Sequence, residues 1–151
     1  MSKYKIDPNV TEIVISEGAL GLGDELKDIL NKTRSQGIKL LIDDFGTGYS
    51  SLSHLKNFPI SAFKIDKSYI HGIPESTRDI AIINAIITLR SNLSVDIITE
   101  GVEIASNYKF LKQTGVDSFQ DYFFSKPLQW SEISSFVDVF SVLPDTALNS
   151  A

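Results

Sequence analysis

The chain has 151 residues, 42% of them hydrophobic and 22% charged, which fits one folded domain with a real core and excludes a disordered chain. Its formal net charge of −5 argues against a nucleic-acid polymer or an anionic membrane as the main partner, but leaves a phosphate ligand open, because a bound metal reverses the local field. There is no cysteine, which excludes disulfides and thiolate sites, and no leader-like start or membrane-length apolar run, so a cytoplasmic chain without a membrane span is expected.

In chain order, residues 12–16 open with a short run rich in Ile and Val that reads as a strand buried on both faces. Residues 24–36 follow with helical period, placing Leu26, Ile29 and Leu30 on one stripe, and Gly37 supplies the stop. Two further strands are predicted at 39–43 and 62–65. A long helix over 76–93 carries Ile80, Ile83, Ile86, Ile87 and Leu89; Ser76 is its predicted cap, with Asp79 three residues on as an imperfect capping box. A strand at 95–99, a helix at 108–114 ending at Gly115, a strand at 118–120 and a helix at 130–142 complete the ordered part. Residues 144–151 are expected to be a flexible tail. Such alternation of strand and helix predicts a parallel sheet covered by helices.

Each strand run ends in acid: Glu17; Asp43 and Asp44; Asp66; Glu100, with Glu103 three residues on; and Asp121 behind Gln120. Burying an unpaired charge is costly, so acids at every strand end point to ends that converge on a cation. The functional site of a parallel barrel lies at the C-terminal ends of its strands, and that of an open doubly wound sheet lies there too. In "KID", Lys64 and Asp66 alternate to one face while Phe63 and Ile65 take the other. That pairing reads either as a site pair or as a structural salt bridge. His54 and His71 stand apart from these motifs and read as ordinary surface or helix residues. The "GTG" at Gly46–Gly48 lacks the Lys-Ser/Thr continuation of a phosphate loop.

Four motifs occur in order: "DDFGTGYSSL" at 43–52, "KID" at 64–66, "EGVE" at 100–103 and "FSKP" at 124–127. Together they resemble the EAL domain, the bacterial phosphodiesterase that hydrolyses cyclic di-GMP to the linear dinucleotide. The resemblance runs from about residue 7 to about residue 140 and covers only the C-terminal portion of that domain. It implies an α/β fold, a partial TIM-like (β/α) barrel of about five βα units. Residues 1–143 would be a truncated EAL domain, with the N-terminal units, the Glu-Ala-Leu signature and the Asn-bearing strand missing.

The resemblance also implies roles. Glu17 would ligate metal, Asp43 would be shared by two divalent ions, and Asp44 would sit on the second ion. Lys64 would orient or activate the attacking water, with Asp66 as its strand partner. Glu100 would position metal or water, and Gln120 would lie near metal and substrate. Phe45, Gly46, Thr47, Gly48, Tyr49, Ser50 and Ser51 would form a loop that contributes to dimerisation and is held in its active shape by Glu103. The chain departs from the family pattern at Asp121, where Gly is usual, and mildly at Ser16, where Thr is usual.

The implied cofactor is Mg2+ or Mn2+ in a two-metal site, incomplete in this chain. Hard oxygen ligands suit these ions, and a pair of them activates water and clamps the non-bridging oxygens of a phosphodiester. The implied partners are cyclic di-GMP and either a second copy or the missing N-terminal half. The function implied is that of an EAL protein of cyclic di-GMP signalling, inactive or weakly active as an isolated chain. The alternative is a degenerate EAL module that binds a protein partner or senses cyclic di-GMP.

Overall fold

The apolar runs form one five-stranded parallel sheet whose strand order is the order of the sequence: β1 (Glu12–Ser16), β2 (Lys39–Phe45), β3 (Ala62–Ile65), β4 (Asp96–Thr99) and β5 (Ser118–Phe119). The structure, a computed structural model, describes residues 6–48 and 55–141. Around the sheet lie α1 (Asp24–Arg34), the single turn α2 (Lys67–Ile70), α3 (Thr77–Leu93), α4 (Ala105–Thr114) and α5 (Trp130–Ser141). A sequential order has no point where the winding reverses. It therefore matches successive βα units of a barrel and not a doubly wound sheet. No helix of the described residues is long and apolar enough to cross a membrane.

Alternation along the strands divides the sheet into two faces. Ile42, Phe63 and Ile97 are neighbours across β2, β3 and β4, and all are buried. With Ile65 they pack against Ile70, Ile83 and Ile86 of the helices in one apolar cluster. Fully burying one such side chain is worth about 1.5–3 kcal/mol, so this layer is the main source of stability. The opposite face carries Leu41, Asp43, Ala62 and Lys64. The expectation of strands buried on both faces holds for β2 and β3 but not for β1, where Ile13 and Val14 are 39% and 46% exposed. β1 has a paired neighbour on one side alone among the described residues, and that leaves its flank open.

Local chemistry sets the element ends. The Ser76 side chain accepts from the Asp79 amide at 3.2 Å, as the capping reading expected. α1 stops at Arg34, two residues short of the periodic stretch, and the turn after it passes through Gly37 at φ 93°. α4 starts three residues before its predicted position; its N-cap is Ile104, which offers no side-chain acceptor to mark the start. α2 was not visible as a periodic segment, and Asp66 caps it by accepting from the Ser68 amide at 3.0 Å.

Two polar ties fix the helices, one to the sheet and one to each other. Arg90 of α3 donates to the Gly115 carbonyl at 3.0 Å and pairs with Asp117, whose second oxygen accepts from the Ile97 amide at 2.9 Å. Asn107 of α4 is buried and donates to the carbonyls of Ile70 and Ile73 at 3.1 and 2.8 Å. Asn107→Ala would leave both carbonyls without this donor, and an unsatisfied buried group costs about 1–3 kcal/mol. Urea denaturation is expected to show a lower midpoint at unchanged slope; an unchanged midpoint would show that the tie contributes nothing.

Candidate metal centre

A parallel sheet delivers its strand ends to one edge, and there three carboxylates meet. Oxygens of Asp43, Asp44 and Glu100 all lie within 4.8 Å of one another. Strict alternation would send Asp43 and Asp44 to opposite faces. The β2–β3 register instead shifts between Ile42 and Phe45, and Asp44 takes the left-handed conformation at φ 52°. This bulge returns Phe45 to the helix side, where it stacks on Phe63 at 4.1 Å between ring centroids. Asp44 is left exposed beside its neighbour. Glu100 follows β4 directly, its amide donating to the Ile65 carbonyl at 3.2 Å.

Lys64 projects from β3, between the two acid-bearing strands. Its Nζ lies 2.9 Å from Asp43 Oδ1 and pairs with Glu100 as well. Burial by itself would lower the Lys64 pKa. The hydrogen bonds to Glu100 and Asp43, and their negative charges, outweigh that effect and hold it above the usual lysine value. Lys64 is therefore an ammonium at neutral pH, offsetting one of three clustered negative charges. The remaining carboxylate charge and the all-oxygen donor set fit a hard divalent cation such as Mg2+ or Mn2+.

The other strand-end acids serve the backbone. Glu17 is buried, and its Oε2 accepts from the Gly46 and Gly48 amides at 3.0 and 3.2 Å. It holds the loop after the Asp pair and is not part of the carboxylate cluster. A Cβ on Gly48 would come within 2.9 Å of that carboxylate, so a larger residue there would push the Glu17 carboxylate aside. Tyr69 adds a second hold, its hydroxyl donating to the Gly46 carbonyl at 2.5 Å. Thr47 closes the turn through its amide and hydroxyl, both donating to the Asp44 carbonyl. Nothing in the sequence marked Tyr69 for this contact. Tyr49, Ser50 and Ser51 lie outside the described residues.

Glu103, expected to hold that loop, stands instead 3.8 Å from His71, both about half exposed. Asp66 is not the ion partner of Lys64: β3 ends at Ile65, and the Asp66 carboxylate is taken up by the amide at the start of α2. Burial would raise its pKa, but hydrogen bonds from Ser68 and Lys67 and the Lys67 charge hold it below the usual carboxylate value. Gln120 is exposed and joins the strand ends through its backbone, its amide donating to Thr99 at 2.8 Å and its carbonyl accepting from Val102 at 3.3 Å. Asp121 sits at φ 128°, a conformation that favours the glycine it replaces. Its carboxylate accepts from Gly101 at 3.2 Å and Tyr122 at 2.9 Å, which offsets the strain.

The family model of the EAL domain matches residues 2–127, and the chain belongs to the EAL domain family. It is 38% identical over 144 residues to the cyclic di-GMP phosphodiesterase NbdA of Pseudomonas aeruginosa, covering 93% of this chain and 18% of that protein. The EAL domain of Mycobacterium smegmatis DcpA superposes with a TM-score of 0.85 at 29% identity, covering 92% of this chain and 62% of that one. The manganese and cyclic di-GMP complex of Klebsiella pneumoniae BlrP1 superposes at 0.76 with 31% identity, covering 83% of this chain and 32% of that one. The chain thus spans less than two thirds of the length of each of these relatives.

The Asp66 cap gives a pH-dependent prediction. A lowered folded-state pKa contributes stability above the model-compound value of 3.8 and loses it as pH falls through the lower folded value. Asp66→Ala is expected to cost about 1 kcal/mol near neutral pH, the usual worth of an N-cap. Thermal melts of both proteins should converge on acidification below that value, and a pH-independent gap would show that the carboxylate charge is not involved.

Proposed function

We propose that this chain forms the C-terminal part of a metal-dependent site that hydrolyses cyclic di-GMP to the linear dinucleotide, and that alone it hydrolyses the substrate weakly or not at all. The observation that carries the reading is the meeting of Asp43, Asp44 and Glu100 around Lys64 at the strand ends. Relatives named as cyclic di-GMP phosphodiesterases, and a neighbour solved with manganese and cyclic di-GMP, support it. In this reading residues 1–143 are the EAL portion, residues 144–151 a tail, the location cytoplasmic, and the loop at 45–51 a dimer contact.

Asp43, Asp44 and Glu100 would hold Mg2+ or Mn2+. When bound, such ions supply an activated water and a clamp on the non-bridging phosphate oxygens. The chain's own contribution is placement. The bulge at Asp44 sets two carboxylates side by side, Glu17 and Tyr69 hold the loop beside them, and the Lys64 ammonium offsets negative charge where a phosphodiester would sit. The weak activity expected rests on the second ion of a two-metal site: three carboxylates with water and substrate oxygens suffice for one Mg2+, and Glu17, engaged by the loop amides, adds no further oxygen to the cluster.

Purified chain with Mn2+ or Mg2+ and cyclic di-GMP tests both parts. Product formation is expected about a thousandfold below that of an intact EAL phosphodiesterase, the scale of losing one transition-state contact. Turnover at the intact rate, abolished by Asp43→Ala, would reject the inactivity while keeping the site. In the same preparation Mn2+ should raise the melting temperature, because a cation relieves the repulsion between adjacent carboxylates. Asp44→Asn should remove most of that rise, and a melting curve indifferent to Mn2+ would reject the metal centre.

A further inference from the structure

We infer that Tyr69 is a positioning residue for the metal centre: its hydroxyl sets the backbone of Asp44, and through it the place of the Asp44 carboxylate, without touching a ligand atom. The inference rests on the metal-dependent reading of that site and deepens it, because it assigns a determinant outside the acidic motifs. Asp44 is the exposed member of the cluster, and its carboxylate stands beside those of Asp43 and Glu100 with its backbone at φ 52°. Left-handed backbone is unfavourable for a residue with a Cβ, so neighbouring contacts must hold it there.

The Tyr69 hydroxyl donates to the Gly46 carbonyl at 2.5 Å. The same planar peptide unit carries the Thr47 amide, which donates to the Asp44 carbonyl at 3.2 Å, and the Thr47 hydroxyl donates to that oxygen at 2.8 Å. In a trans peptide the carbonyl and the N–H point in opposite directions, so fixing one aims the other. Tyr69 is well anchored for this task. Its helical turn is capped by Asp66 directly after β3, and its ring packs against the apolar cluster. Gly46, at φ 97°, lets the loop pass close over that ring, where a Cβ would meet Tyr69 Cε2 at 3.2 Å. The hydrogen bond itself lies at the surface. Water can replace a lost partner there, so its removal changes overall stability little. What it changes is how often the loop holds Asp44 in place, and a site that is competent for only a fraction of the time binds more weakly by that fraction. Metal affinity should therefore depend on the hydroxyl while stability hardly does.

Tyr69→Phe isolates the effect, since it keeps the packed ring and removes the oxygen alone. Calorimetric titration of the whole chain with Mn2+ alone, without substrate, is expected to show binding about fivefold weaker than wild type, the scale of one neutral hydrogen bond. The metal-free melting temperature should stay within about 1 °C of wild type. Amide exchange followed by NMR in the metal-free chain should be faster at Thr47 in the variant, because its peptide unit is released. Equal Mn2+ affinity in the two proteins overturns the inference and leaves the metal reading standing. Weaker binding with a clear fall in the metal-free melting temperature shows a merely structural role and overturns it too. A Thr47 amide that exchanges as in wild type overturns the route through Asp44. Wild-type chain that binds no Mn2+ overturns both the inference and the metal reading.

Discussion

The site depends on the register of three adjacent parallel strands. β3 lies between β2 and β4, paired residue by residue with β4 and, on either side of the bulge at Asp43 and Asp44, with β2. Parallel pairing in sequential order fixes the height at which every strand stops. A lysine on the central strand therefore meets acids from both flanks without any loop having to be long or precise. Its two ion pairs span the end of the sheet, as the Ile42, Phe63 and Ile97 layer spans its helix-facing side. The apolar layer supplies the rigidity and the register supplies the coincidence. Sheltered charges are costly unless they are paired, and here the pairing follows from the strand order.

The bulge at Asp44 is the second constraint. An extra residue in β2 keeps Phe45 in the apolar layer while the two acids before it stay together. Without it, one of the two would point at Phe63 and the helices. The cost is a non-glycine residue in the left-handed region, where aspartate is among the side chains that tolerate it best. The local strain is offset by the stacked ring and by the Thr47 contacts to the Asp44 carbonyl.

Strand positions and the face alternation of Phe63 and Ile65 against Lys64 were legible because apolar runs and period-two alternation are local signals. The Ser76 cap was legible for the same reason. The burial of β1 was not: whether a strand lies at an edge is a property of the assembled sheet, and its sequence is as apolar as that of its neighbours. The start of α4 carried no polar cap, and Asn107 and Tyr69 act through contacts with residues far along the chain. Acids at the strand ends were plain to read, but their partners were not. Sequence carries the charge of Asp66 and the end of β3 at Ile65, but not the helical turn that follows and takes up the carboxylate.

That distinction explains why only part of the acidic pattern forms one cluster. A strand that gives way to a turn or helix exposes backbone amides that need acceptors, and a carboxylate is a strong one. Glu17, Asp66 and Asp121 each satisfy such amides. Asp43 and Glu100 instead meet a side-chain cation, and Asp44 lies beside them in solvent. The two sets differ in what they hold. An acid bound to main-chain amides holds a loop or turn in place, whereas the acids paired with Lys64 hold the ends of β2, β3 and β4 together. The strand ends therefore combine a frame set by the amide-bound acids with a charged cluster balanced by Lys64.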